Sequence, residues 1–198
     1  MRLKIFQTGH AVLRQQAEPL DVSTIRVART QLLIELMRET MRDAPGVGLA
    51  APQVGESLQL AVIEDRAELM AGLSPATLAE RERQPVPFHV IINPRLTITD
   101  PSPRLFFEGC LSVAGFVALT PRAQAVRVEC LNEQAQPVVI DASGWYARIL
   151  QHEIDHLHGK LCLDCMLSRS FMNVENYQRY WADQPISQVL SELGLAAG

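Results

Sequence analysis

Apolar positions recur at helical spacing towards both ends of the chain and fall into short strand-like runs between them. Over residues 24–43, Ile25, Ala28, Leu32, Leu36 and Met37 share a face opposite Arg and Glu, which predicts an amphipathic helix. Asp21 and Ser23 suit its cap. The glycines and prolines of residues 44–53 forbid a continuing helix and predict a loop. Residues 58–63 read as a strand. Residues 66–87 mix charges with short apolar patches and end in Gln84-Pro-Val-Pro87, the pattern of a surface insertion with a short helix. Strand-type runs follow at 90–92, 96–99, 104–107 and 126–130. The last of these pairs with 138–140 across a turn. Ser143 and Gly144 then precede a helix over 145–158, closed by Gly159, and the tail carries further helical segments. Helices that bracket an antiparallel centre give an α+β class: antiparallel sheets packed around the central helix, with an N-terminal and a C-terminal helix.

The chain has 198 residues, 47% hydrophobic and 20% charged. That predicts one compact domain, with a core over about 1–170 and a tail over 171–198, and excludes a disordered chain or a coiled coil. A net charge of −4 makes nucleic acid an unsuitable main ligand, since neutralising phosphates needs a basic face. No apolar run has membrane-spanning length, and the first ten residues lack signal or transit character, so a cytoplasmic protein is expected. Four cysteines (Cys110, Cys130, Cys162, Cys165) are too few and scattered for a disulfide scaffold.

The central helix holds the chemistry. In His152-Glu-Ile-Asp-His156 the two histidines are four apart, so both imidazoles can reach one metal ion while Glu153 serves a water on it. Ile149, Leu150, Ile154 and Leu157 surround the pair and predict burial, where polar side chains need partners. Three residues can complete such a site. Glu175 lies 19 residues after His156, Cys162 stands where one protease motif places a third histidine, and Cys110 lies far upstream beside a predicted strand. Spacing does not choose among them. Cys162 and Cys165 form a Cys-x-x-Cys, but no second pair matches it and core packing suits both.

Gly46-Val-Gly-Leu-Ala-Ala-Pro-Gln53, Glu108-Gly-Cys-Leu-Ser112 and Gln151-His-Glu-Ile-Asp-His156, in that order, resemble peptide deformylase. Gly9-His-Ala-Val-Leu-Arg14 and Asn93-Pro94 extend the likeness over about residues 1–170. Ser112-Val-Ala-Gly-Phe116, Ala142-Ser-Gly-Trp145 and the 66–87 insertion are similar to the mitochondrial-type branch, and the absence of a transit peptide suggests a bacterial member of it.

The resemblance implies that Cys110, His152 and His156 bind one divalent metal ion with water as fourth ligand. The ion would be iron(II), with zinc or nickel able to replace it. It implies hydrolysis of the N-formyl group from the initiator methionine of new polypeptides, with release of formate. Glu153 would be the general base and acid, and the Gln53 amide and Leu111 backbone N–H would bind the oxyanion. Val47, Gly48 and Gly109 would pair with an extended peptide, and Val47, Trp145, Ile149 and His152 would wall the methionine pocket. Glu108 and Arg122 would hold the Cys110 segment, and Asp155 would be structural. Val117 departs from an arginine found in many bacterial members. The end of the tail, residues 183–194, lacks Lys and Arg, so binding of ribosomal RNA through it is not expected; the chain would be a monomer or homodimer. The alternatives are a metallopeptidase with Glu175 as third ligand and a non-catalytic structural metal site.

Overall fold

A computed structural model describes residues 2–195. The N-terminal part forms α1 (Val22–Ile25), α2 (Ala28–Asp43), β1 (Gly48–Ala50), β2 (Leu60–Asp65) and α3 (Pro75–Glu80). The centre consists of β3 (Val86–Gly109), β4 (Phe116–Leu131), β5 (Pro137–Ser143) and α4 (Gly144–Leu157). β6 (Met172–Asn173), α5 (Val174–Tyr180) and α6 (Ile186–Glu192) follow. The strands make one antiparallel sheet in the order β1-β2-β3-β4-β5, with β6 added to the start of β4. The class is α+β, as expected. No helix among the described residues is long and apolar enough to cross a membrane.

Alternation along β2 and β3 decides the layering. Ala61, Ile63 and Ile91 point to one face and pack with Ile149, Leu150, Ile154 and Leu157 of α4. Leu60, Val62, Val90 and Ile92 point to the other and pack with Ile34, Met37 and Met41 of α2. A strand covered on both faces can be apolar throughout, and every residue of β2 is buried. The C-terminal segment adds a smaller cluster in which Tyr177, Trp181 and Val189 lie on Phe107 and Leu119.

Several expectations need correction. The predicted helix over 24–43 is two helices, broken at Arg26 and Val27. Asp21 caps the first, accepting the Ser23 N–H at 2.8 Å, which places Ser23 inside that helix. Leu32 is 58% exposed because, at 3.6 residues per turn, it lies opposite the buried face of Ile34, Met37 and Met41. The loop over 44–53 contains β1, whose strand state comes from pairing with β2 rather than from its small residues. The three runs between 90 and 107 are one long strand. Its register shifts fall between Ile92 and Arg95, Ile98 and Asp100, and Asp100 and Pro103. Pro94 and Pro101 sit inside these irregularities, where no ladder N–H is needed. Asn93 adopts φ 51° and exchanges two 2.8 Å hydrogen bonds with the Leu20 backbone, tying the N-terminal segment to the sheet.

Candidate metal centre and active-site cleft

Two elements meet at the site. α4 presents His152 and His156 on one face, and Cys110 follows directly on the end of β3. His156 Nε2 lies 3.4 Å from Cys110 Sγ and 3.2 Å from His152 Nε2. The three ligating atoms all fall within 4.8 Å of one another, and among the described residues this is the group able to hold a metal ion. Glu175 is exposed on α5 and outside the group. Cys162 is buried against Cys110 and Val113, as core packing predicts, whereas Cys165 is exposed, contrary to that expectation.

The donor set fits a divalent cation. His152 Nδ1 lies 3.1 Å from Glu108 Oε2, which fixes a proton on Nδ1. Burial opposes the ring's charge, but Glu108 raises its pKa to about 9, so a metal would displace the second proton to use the Nε2 lone pair. That lone pair faces a second imidazole nitrogen and a sulfur, an arrangement of acceptors that a cation resolves. One sulfur and two imidazole nitrogens are ligands suited to zinc, iron or nickel. The hydrogen bond that the Cys110 thiol donates to Cys162, together with burial, pushes Cys110 above its ordinary value. A cation would reverse this, because a coordinated thiol is held as thiolate.

Glu108 organises the surroundings. Burial opposes its charge, but the His152 hydrogen bond and Arg122 outweigh that and hold its carboxyl far below the usual range. Arg122 reaches its two oxygens at 3.0 and 3.1 Å and also bonds Asp155, so Glu108 and Arg122 form an ion pair. Arg148 was not foreseen from the sequence. It donates to Glu108 at 2.6 Å and to the Thr120 carbonyl at 2.8 Å. The available signal was a guanidinium four residues before His152, on the same helix face.

Glu153 is nearly fully buried, and its Oε2 has no protein partner. Burial, only partly opposed by His152, pushes its carboxyl up to about 7. Its Oε1 lies against Gly48, where a Cβ would come within 2.2 Å. Gln53 is held by its carbonyl oxygen, which accepts the Ala50 N–H at 2.8 Å. Its amide nitrogen therefore turns towards Ser112 Oγ at 3.2 Å and Cys110 Sγ at 3.7 Å. Gln7, also unforeseen, fixes the Cys110 loop by bonding the Leu111 carbonyl at 2.9 Å and the Ala114 N–H at 3.1 Å.

A cavity of about 780 Å³ opens on this constellation. Val47, Gly48, Gly109, Trp145 and Ile149 all line it, together with Gln53, Cys110, Leu111, His152 and Glu153. His156 and Arg122 stand behind that wall. A larger groove of about 1060 Å³ lies between the 78–90 segment and β5, whereas the group able to hold a metal among the described residues stands at the smaller one.

Comparison with known proteins agrees. The polypeptide deformylase family model matches residues 2–171. Chloroplastic peptide deformylase 1A of Solanum lycopersicum is 42% identical over 96% of this chain and 67% of its own length. Peptide deformylase 3 of Streptomyces avermitilis is 41% identical over 98% and 84%, and the human mitochondrial enzyme 41% over 89% and 71%. Among solved structures, a Met-Ala-Ser-bound class I type b deformylase from Acinetobacter baumannii superposes with a TM-score of 0.75. It is 30% identical and covers 84% of this chain and 99% of that one. An actinonin complex from Synechococcus elongatus gives 0.69 at 32% identity, covering 98% and 87%. With its family match running across the cleft and its relatives matched over most of their length, this chain belongs to the polypeptide deformylase family and is a hydrolase.

Proposed function

We propose that the chain removes the N-formyl group from the N-terminal formyl-methionine of newly made polypeptides, releasing formate. The observation that carries this reading is the meeting of Cys110 with His152 and His156 beside an open cavity that Cys110, His152 and Glu153 line. Cys110 Sγ and the two Nε2 atoms would hold one divalent ion, iron(II) in the cell, with zinc or nickel able to occupy the same ligands. When bound, the ion supplies a Lewis acid next to the formyl carbonyl and makes water more acidic.

The remaining work falls to the chain. Glu153, poised near neutral pH, takes the proton of the attacking water and delivers it to the leaving amine. Gln53 Nε2 is pre-aimed by its bond to Ala50 and, with the Leu111 N–H, donates to the oxyanion. Among the described residues β1 pairs with β2 alone, so its other edge accepts an extended peptide at Val47 and Gly48, with Gly109 opposite. Val47, Trp145 and Ile149 enclose the methionine side chain. The partner is thus a nascent formyl-methionyl polypeptide. Four free thiols suit a reducing compartment such as the cytoplasm.

The test is formate release from a formyl-methionyl peptide by protein loaded anaerobically with iron(II). Glu153→Gln should keep its metal and lose roughly 10²- to 10⁴-fold in kcat. Undiminished turnover would contradict the role of Glu153. A closed structural site is disfavoured by the buried, unpartnered Glu153 oxygen beside an open cavity.

A further inference from the structure

The segment between β2 and β3 reaches the start of α4. α3 ends at Glu80, and the chain then turns through Glu82 at φ 49° into β3. Hydrogen bonds seat this turn. The Arg81 carbonyl accepts the Trp145 N–H at 2.9 Å, and the Glu82 carboxylate accepts from Ser143 Oγ at 3.1 Å and Gln124 Nε2 at 2.7 Å. Gly144 permits the approach: it sits at φ 58°, and a Cβ there would lie 2.8 Å from the Arg81 carbonyl oxygen.

Two guanidiniums of the same turn stand over the Trp145 indole. The Arg81 and Arg83 guanidinium carbons each lie 5.1 Å from its ring centroid. Arg83 is itself locked, donating to both oxygens of the buried Asp65 at 2.8 Å. Arg81 also stands over Phe106, 5.8 Å from its centroid, and the Phe106 and Trp145 rings meet at 6.2 Å, tilted by 64°. The indole Nε1 is buried with no hydrogen-bond partner, so ring contacts and packing set its orientation. Trp145 lines the cavity at Cys110 and His152, whereas Arg81 and Arg83 do not.

Resting on the reading under Proposed function, we propose that Arg81 and Arg83 are positioning residues for deformylation. They hold the Trp145 ring and so fix the wall of the methionine pocket without touching the substrate. A planar guanidinium stacks on an indole in a way that an ammonium does not, which suits arginine to this task. With the ring held, the pocket receives the methionine side chain without rearrangement. With the ring loose, part of the binding energy is lost in ordering it. That loss weighs on bound substrate and transition state alike, so it is read in KM rather than in kcat.

The experiment uses iron(II)-loaded protein and formyl-Met-Ala-Ser, in a Trp181→Phe background that leaves Trp145 as the one indole. Arg81→Met keeps an unbranched stem and removes the guanidinium. It should raise KM roughly threefold to tenfold at nearly constant kcat, the range of a partly buried cation–π contact. Acrylamide quenching of Trp145 fluorescence should rise in the same variant. Arg81→Lys should recover part of both effects, since an ammonium keeps the charge but not the planar stack. Arg83→Lys keeps a cation against Asp65 and should move both readouts in the same direction, which carries the test if Arg81→Met fails to fold. KM and quenching unchanged in these variants, or a fall in kcat at constant KM, would overturn the positioning role and leave the deformylase reading standing. Conversely, absence of formate release from the unsubstituted protein together with greater quenching in Arg81→Met would support the hold on Trp145 and overturn the reading of the reaction.

Discussion

Gly48 sets where Glu153 can be. A methyl group at residue 48 would meet Glu153 Oε1 at 2.2 Å, so the carboxylate occupies space that only glycine leaves. Gly48→Ala should displace that carboxylate and lower formate release by about 10²-fold, as misplacement by about an ångström commonly does. The stability loss, of about 1–3 kcal/mol for an overpacked core, should be visible in a thermal melt. Recovery of activity on shortening the partner in Gly48→Ala/Glu153→Asp would confirm the steric cause. At this scale the metal ligands were legible because their spacing and their ordered neighbours are chemically unusual. Arg148 and Gln7 were not: each acts through hydrogen bonds to residues distant in sequence, and the one local mark is the place of Arg148 four residues before His152. Glu175 was an equally spaced candidate on sequence grounds, and only the fold separates it from the histidines.

α4 works as a rigid mount whose charged residues are locked from behind. Glu108 binds Arg122, Arg148 and His152 together, and all four side chains are largely or fully buried. Glu108 keeps Arg122 and His152 without Arg148, but the Thr120 and Arg104 carbonyls lose their donor, so Arg148→Met should cost about 1–3 kcal/mol in urea unfolding. It should also weaken metal affinity by loosening Glu108, which orients His152. An unchanged urea midpoint would show that these carbonyls do not need Arg148. The helix also depends on its end: Gly159 sits at φ 69°, and a Cβ there would lie 2.7 Å from the Arg14 carbonyl oxygen. Among the elements, α4 and the β4–β5 hairpin were legible because apolar periodicity and turn residues agree locally. β1 was not, because three small residues become a strand only through β2. The outward placement of Leu32 went unread because the break before Ala28 resets the helix phase.

The molecule as a whole couples stability to protonation away from the site. His89 on β3 bonds Tyr146 of α4 at 2.9 Å, and burial lowers its pKa below 6.5, with the Pro87 carbonyl and Glu133 opposing only in part. A histidine held neutral in the fold binds fewer protons than in the unfolded chain, so its contribution is complete above 6.5 and is lost as pH falls below it. The melting temperature should therefore drop from pH 7 to pH 5 by less in His89→Asn than in the native protein. A ligand that binds only the folded chain stabilises it by about 2.7 kcal/mol at a hundred times its dissociation constant. Metal loading should accordingly raise the melting temperature, and Cys110→Ala should blunt the rise. The most direct measurement is an anaerobic titration of metal-free protein with iron(II), reading formate release from a formyl-methionyl peptide. Activity should climb linearly and stop at one ion per chain, with no climb in Cys110→Ala. Full activity before any metal is added, or the same climb without the sulfur of residue 110, would contradict the account.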